Sequence, residues 1–239
     1  MQNALPVALS AQVSLQNRLD TLADNVANVA TPGFLATKVR FEAAVERHGG
    51  PSVAFARTGE AHLAHARGAI QPTGAPLDFA VRGEAWMAVG TPRGTALTRD
   101  GRFHMLPGGE LVSREGHAVL GPGEAPVVLD PDGGPPVAGA DGSLVQDGRV
   151  VALIGLFETD RPPRERVGDT AVLPDGAAVP VTGRSDVGIL QGHVEGSNVN
   201  AVEEMVRLIE VTRGFEGVTG LVRRSDATLG EALRTLAGR

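Results

Sequence analysis

The sequence predicts a mixed α and β chain, with long N- and C-terminal helices packing together in coiled-coil fashion around a central all-β domain. Apolar residues recur three or four apart through residues 1–33, and the same spacing returns over 200–239. Between them lie runs of period two, in a chain that carries 32 glycines and 16 prolines, the punctuation of short strands joined by tight turns.

In the first element, Leu5, Ala8, Gln12, Leu15, Leu19, Leu22, Val26 and Val29 form a heptad seam interrupted only by Gln12. Thr31-Pro32-Gly33 should stop it: a proline disfavours helix at the residue before it, and glycine tolerates the positive φ of a turn. Asn25 and Asn28, near that end, read as caps or as bonds to another copy, and Phe34 as an apolar plug behind the turn. The seam alone cannot offset the entropy of ordering so long a helix, which therefore needs a partner, either the C-terminal helix or neighbouring subunits.

Residues 34–75 read as a short helix at about 37–47 followed by a linker, and residues 76–190 as the β domain. Leu77, Phe79 and Val81 alternate with Asp78, Ala80 and Arg82, the period of a half-buried strand. Asp100-Gly101 between Leu97–Arg99 and Arg102–His104 reads as a hairpin. Asp141-Gly142 and Asp147-Gly148 bracket a further strand, and the branched apolar run 150–157 follows. Residues 121–140 and 160–186, rich in proline, read as loops.

The last element, within 191–239, starts at an Asn200 cap with Glu203 three residues on. Its seam runs Leu208, Thr212, Phe215, Thr219, Val222, Asp226, Leu229, Leu233 and Leu236. Glu203 and Glu204 sit in the first turns and Arg234 near the end, as the helix dipole prefers. Gly214, Gly217 and Gly220 weaken the middle, so this helix too should depend on packing.

Composition excludes several classes of function. Aromatics are 3% of the chain and the net charge is −6 with no basic run, which argues against nucleic acid and against anionic membranes. Without cysteine, disulfides, thiolate catalysis and the usual zinc sites are ruled out. Arg18 is the first charged residue, so no basic region of a secretory signal is expected, and no apolar run approaches the roughly 18–20 residues of a membrane span. His62 and His65 lack further ligands, and Asp130-Pro131-Asp132-Gly133 lacks the acids of a calcium loop. Trp86 reads as core. No nucleophile, base and acid are paired, so no enzyme, no cofactor and no metal are expected.

Three stretches resemble one family. Leu22 to Phe34, with Leu22, Asn25, Asn28, Thr31, Gly33 and Phe34 in place, resembles the N-terminal signature of flagellar rod and hook proteins. Glu195 to Asn200, with Ser197, Asn198 and Asn200, followed by Glu204-Met205 and by Arg213-Gly214-Phe215-Glu216, is similar to their C-terminal signature. Residues 68–83 and Thr98–Gly101 are similar to the entry into the rod-protein β domain.

That resemblance implies a β domain of the hook and rod type and a structural, non-enzymatic subunit. It also implies assembly with itself and other rod proteins into the drive shaft of the basal body. The interface would run through Leu5, Leu15, Leu19, Leu22, Val26, Val29, Leu208, Phe215, Val222, Leu229, Leu233 and Leu236. It further implies export by the flagellar type III apparatus without signal cleavage, a place in the periplasmic rod, and no membrane insertion. Short length, Pro32 and Trp86 favour a proximal-rod member over the distal-rod member. The competing class is a secreted β-domain binding module, which would need an aromatic pocket.

Overall fold

The structure, a computed structural model, describes residues 4–46 and 53–237. The chain divides into two compact units, one of Met1–Ala27, Thr37–His62 and Asn200–Arg239, the other of Asn28–Ala36 and Leu63–Val199.

The first unit holds two helices, α1 (Ala4–Ala27) and α2 (Ala201–Ala237), which pack against each other. Asn200 caps α2 as its spacing predicts: Asn200 Oδ1 accepts the Glu203 N–H at 3.3 Å, and the Asn200 carbonyl accepts that of Glu204 at 2.9 Å. The helix runs on unbroken through Gly214, Gly217 and Gly220 to Ala237. Gly214 lies against Leu15, where an added methyl would stand 3.8 Å from Leu15 Cδ2, ordinary contact.

The expected short helix at 37–47 is corrected: residues Thr37–Glu46 form a strand, β1, paired with β2 (Val53–Leu63), in the stretch expected to be linker. The reason lies in the residues themselves. Thr37, Val39 and Phe41 alternate with Lys38, Arg40 and Glu42, a period of two that a helix cannot use.

The second unit is built on a nine-stranded sheet. Its main path runs Glu165–Val167, Ala171–Leu173, Gly94–Thr98, Trp86–Thr91, Ala118–Leu120, Leu111–Val112, His104–Met105. Leu156–Thr159 also pairs with Trp86–Thr91 and carries Ala178–Pro180. Successive residues point to opposite faces. Met87, Val89, Ala96, Val119, Leu156 and Ala171 enter one apolar cluster; Trp86, Ala88, Leu97, Leu120, Phe157 and Val172 enter another. The sheet is therefore buried on both faces.

Smaller sheets complete the unit. Phe79–Arg82 pairs with Gly188–Gln191, and Ile70–Pro72 with His193–Glu195. Phe79–Arg82 is a strand as expected but not a half-buried one, since Phe79, Ala80 and Val81 are all buried. Val137–Ala138, Ser143–Gln146 and Arg149–Leu153 form a three-stranded sheet. Asp147-Gly148 turns its second hairpin with φ of 50° and 77°, positive at both positions as a type I′ turn requires. The run 150–157 divides after Leu153, with a mostly exposed first half and a buried second half that begins at Ile154. The two stretches read as loops hold four short strands.

Asp100-Gly101 is not a hairpin turn. Gly94–Thr98 pairs with Trp86–Thr91 and Ala171–Leu173, and His104–Met105 pairs with Leu111–Val112. Gly101 serves close approach instead: a Cβ there would lie 1.7 Å from the Phe79 carbonyl oxygen. Asp100 turns back on Arg102, accepting from its N–H and its guanidinium.

Candidate functional site

The terminal signatures supply the anchors of both units. In the first, Asn25 is 1% exposed and bonds both backbone groups of Thr37: its Nδ2 donates to the Thr37 carbonyl at 2.9 Å and its Oδ1 accepts the Thr37 N–H at 2.9 Å. The side chain thus imitates a neighbouring strand at the start of β1. Its second amide hydrogen reaches Glu204 Oε2 at 3.2 Å. Glu204, buried in the first turn of α2, accepts Arg207 Nη1 at 3.0 Å through its other oxygen. Asn25 therefore ties α1 to β1 and α2 rather than capping α1. Asn25→Ala should cost about 2–3 kcal/mol, since it leaves buried partners unsatisfied; urea unfolding followed by the helical circular-dichroism signal measures it.

In the second unit the turn after α1 is held from both sides. Asn28 accepts the Thr31 hydroxyl at 3.1 Å on Oδ1 and the Thr31 N–H at 3.1 Å on its carbonyl. Pro32 follows, and Gly33 has φ +71° with its N–H donating to the Glu195 carbonyl at 2.8 Å. Phe34 is buried as the plug expected, its ring 4.1 Å from the Arg166 guanidinium carbon. Asn198 satisfies three backbone groups: Oδ1 accepts the Ala36 N–H at 2.6 Å, and Nδ2 donates to the carbonyls of Ala64 and Ala66, each at 2.7 Å. Ser197 Oγ accepts the Val199 N–H at 3.2 Å.

Beside them Glu195, 2% exposed, pairs with Arg99 at 3.1 Å and accepts the Gly68 N–H at 3.1 Å. Arg99 lies 4.4 Å over the Trp86 ring. Burial pushes the Arg99 guanidinium below its ordinary value, and Glu195 opposes that. The Glu195–Arg99 pair was not read from the sequence; its members are 96 residues apart.

The residues expected to form the interface divide in two. Leu22 is buried, and Leu15, Leu19, Val26, Val29, Leu208, Phe215 and Val222 are half-buried. The side chains of Leu5, Leu229, Leu233 and Leu236 lie outside the described residues. What the sequence reading missed is a second apolar row on α2, where Val202, Val206 and Ile209 are all at least half exposed, with Met205 beside them. Their spacing of four and three puts them on one helical face. On α1, Leu9 and Val13 are likewise exposed. The signal was present as apolar residues offset from the seam.

His62 lies on β2 and His65 beyond its end, so their spacing is not helical. Among the described residues no group of three His, Asp or Glu is placed to hold a metal ion, and no helix is long and apolar enough to cross a membrane. Asp130 closes a turn by accepting the Asp132 N–H, and Trp86 belongs to the core.

The ends that carry these anchors match two family models. "Flagella basal body rod protein" matches residues 5–34, and "Flagellar basal body rod FlgEFG protein C-terminal" matches residues 190–235. The chain is 53% identical to "Flagellar basal-body rod protein FlgF" of Mesorhizobium japonicum across the full length of both. It is 46% identical to the FlgF protein of Rhizobium meliloti over all of this chain and 99% of that relative. To "Flagellar basal-body rod protein FlgG" of Bacillus subtilis it is 28% identical, over 97% of this chain and 98% of that relative. With both signatures matched and an end-to-end identity above one half, the chain belongs to the flagellar basal-body rod protein family.

Proposed function

We propose that the chain is a non-enzymatic structural subunit of the flagellar rod, of the proximal, FlgF kind, which polymerises with itself and other rod proteins through its terminal helices. The observation that carries this reading is the apolar row Val202, Val206 and Ile209, exposed on a helix whose other face packs within its own unit. An exposed apolar row of that kind marks a surface that a partner covers. Identity of 53% to a FlgF protein, against 28% to a FlgG protein, favours the proximal over the distal member.

On this reading residues 1–33 and 191–239 are the assembly segments, of which the helices α1 and α2 pair in coiled-coil fashion, and 76–190 is a β domain of the hook and rod type. The seam residues Leu15, Leu19, Leu22, Val26, Leu208, Phe215 and Val222 stiffen the pair, while Val202, Val206 and Ile209 meet neighbours. Asn25 and Glu204 hold the two helices to β1, while the signature residues from Asn28 to Phe34, with Ser197 and Asn198, fasten the turn and strands of the second unit; exposed Met205 sides with the outward row. Export through the flagellar type III apparatus and a place in the periplasmic section of the shaft follow from the same reading.

Val206→Asp separates assembly from folding. Val206 is half exposed, so the subunit should unfold within about 0.5 kcal/mol of the parent, yet fail to enter basal bodies and leave cells non-motile. Leu19→Asp, in the half-buried seam, should instead lower the stability of the free subunit as well. A motile Val206→Asp strain with normal rods would defeat the reading.

A further inference from the structure

The second unit carries two apolar patches that the helices leave unexplained. Val137 pairs with Val145 and Val145 with Val150 across the three-stranded sheet, a cross-strand row on one face. Val150 is 68% and Val137 63% exposed, and Leu153 farther along the same strand is also exposed. The strand Arg149–Leu153 ends its sheet, pairing only with Ser143–Gln146. Natural edge strands are guarded by charges, proline or bulges; this one carries a single charge, Arg149 at its start, and one register shift between Val150 and Ala152, which keeps Leu153 on the face of Val150.

The other patch lies at the end of the nine-stranded sheet. Met105 closes the strand His104–Met105, Leu106 donates its N–H to the Glu110 carbonyl, and Glu110 bridges to Val128. Met105, Leu106 and Val128 are exposed, and so is Glu110. Among the described residues neither Arg149 nor Glu110 has an ion-pair partner, and they are of opposite charge.

We propose that these patches are the two halves of a head-to-tail contact between copies of this chain, with Val137, Val150 and Leu153 of one copy against Met105, Leu106 and Val128 of the next, and Arg149 facing Glu110. The proposal rests on the rod-subunit reading and adds a β-to-β contact to the helical one. Two different patches on one molecule make a heterologous contact, which need not close and so suits an open-ended stack. The apolar rows supply the adhesion, and the opposed charges fix the register.

The absence of native cysteine makes the contact directly testable. Leu106→Cys combined with Val150→Cys, oxidised in isolated basal bodies, should give a ladder of linked dimers, trimers and longer species, and neither single variant should. If that double variant fails to assemble, Val128→Cys with Val137→Cys replaces it. Arg149→Glu and Glu110→Arg should each impair motility, and the two together should restore it. A linked dimer from Val150→Cys alone would overturn the proposal in favour of self-pairing edges. No ladder from incorporated double variants, or no rescue by the charge exchange, would overturn it too. Loss of assembly in Val206→Asp alongside a missing ladder would leave the rod reading standing and remove only this contact.

Discussion

Glu195→Ala is expected to destabilise the second unit by about 3–5 kcal/mol, the cost of leaving a buried charge without its partner. Glu195 holds Arg99 through one carboxylate oxygen and the Gly68 N–H through the other. Both side chains of the pair are at most 4% exposed, so water cannot replace the lost bonds. Arg99 already suffers from burial, and Glu195 is what offsets it. Adding Arg99→Met to Glu195→Ala should recover most of the loss, because an apolar pair of similar volume is often neutral where a half-removed ion pair is not. Trp86, the one tryptophan, lies under Arg99 and reports both transitions by fluorescence in urea. A double variant no more stable than Glu195→Ala would assign the loss to packing rather than to stranded charge.

The second large effect is expected at Gly33. An alanine there must adopt φ +71°, and its Cβ would lie 2.2 Å from the Asp100 backbone nitrogen. Neither chain can yield cheaply, because Gly33 is bonded to Glu195 and the Asp100 N–H donates to Thr98 Oγ1. The loss should reach about 4 kcal/mol or more. Gly74 provides the control. Its φ is +73°, but nothing lies within 4 Å of an added Cβ, so Gly74→Ala should cost only about 1 kcal/mol from the backbone conformation itself. Equal midpoints for the two variants in thermal unfolding would show that the close approach carries no weight.

Both helices were legible because their seams repeat over many turns and because Asn200 with Glu203 marks a start in local chemistry alone. Asp147-Gly148 was read as the end of a strand, and that boundary was legible for the same reason, since the two residues supply the backbone angles of a tight turn unaided. What misled was local pattern overruled by distant contact. Asp100-Gly101 looks like a turn, but its glycine is there to pass Phe79. The stretch 37–47 was read as helix although Thr37, Val39 and Phe41 alternate with charged residues. The work of Asn25 and Asn198 could not be read, because each binds backbone groups whose identity leaves no trace in sequence. Val206 and Ile209 were overlooked because one seam had already accounted for the helix.

Asn198 reaches back to Ala36 and Ala64, and Glu195 to Gly68, over 162, 134 and 127 residues respectively. Polypeptides are born amino end first, so the early segment waits for its late partners. At the usual pace of about 5–20 residues per second, that wait lasts roughly 6–32 seconds. Throughout it the strands near Ala64 and Gly68 lack the groups that fasten them, and contacts of such long range close slowly even once the whole chain is present. Any machinery that must seize this polypeptide while it is still pliable has that interval in which to act.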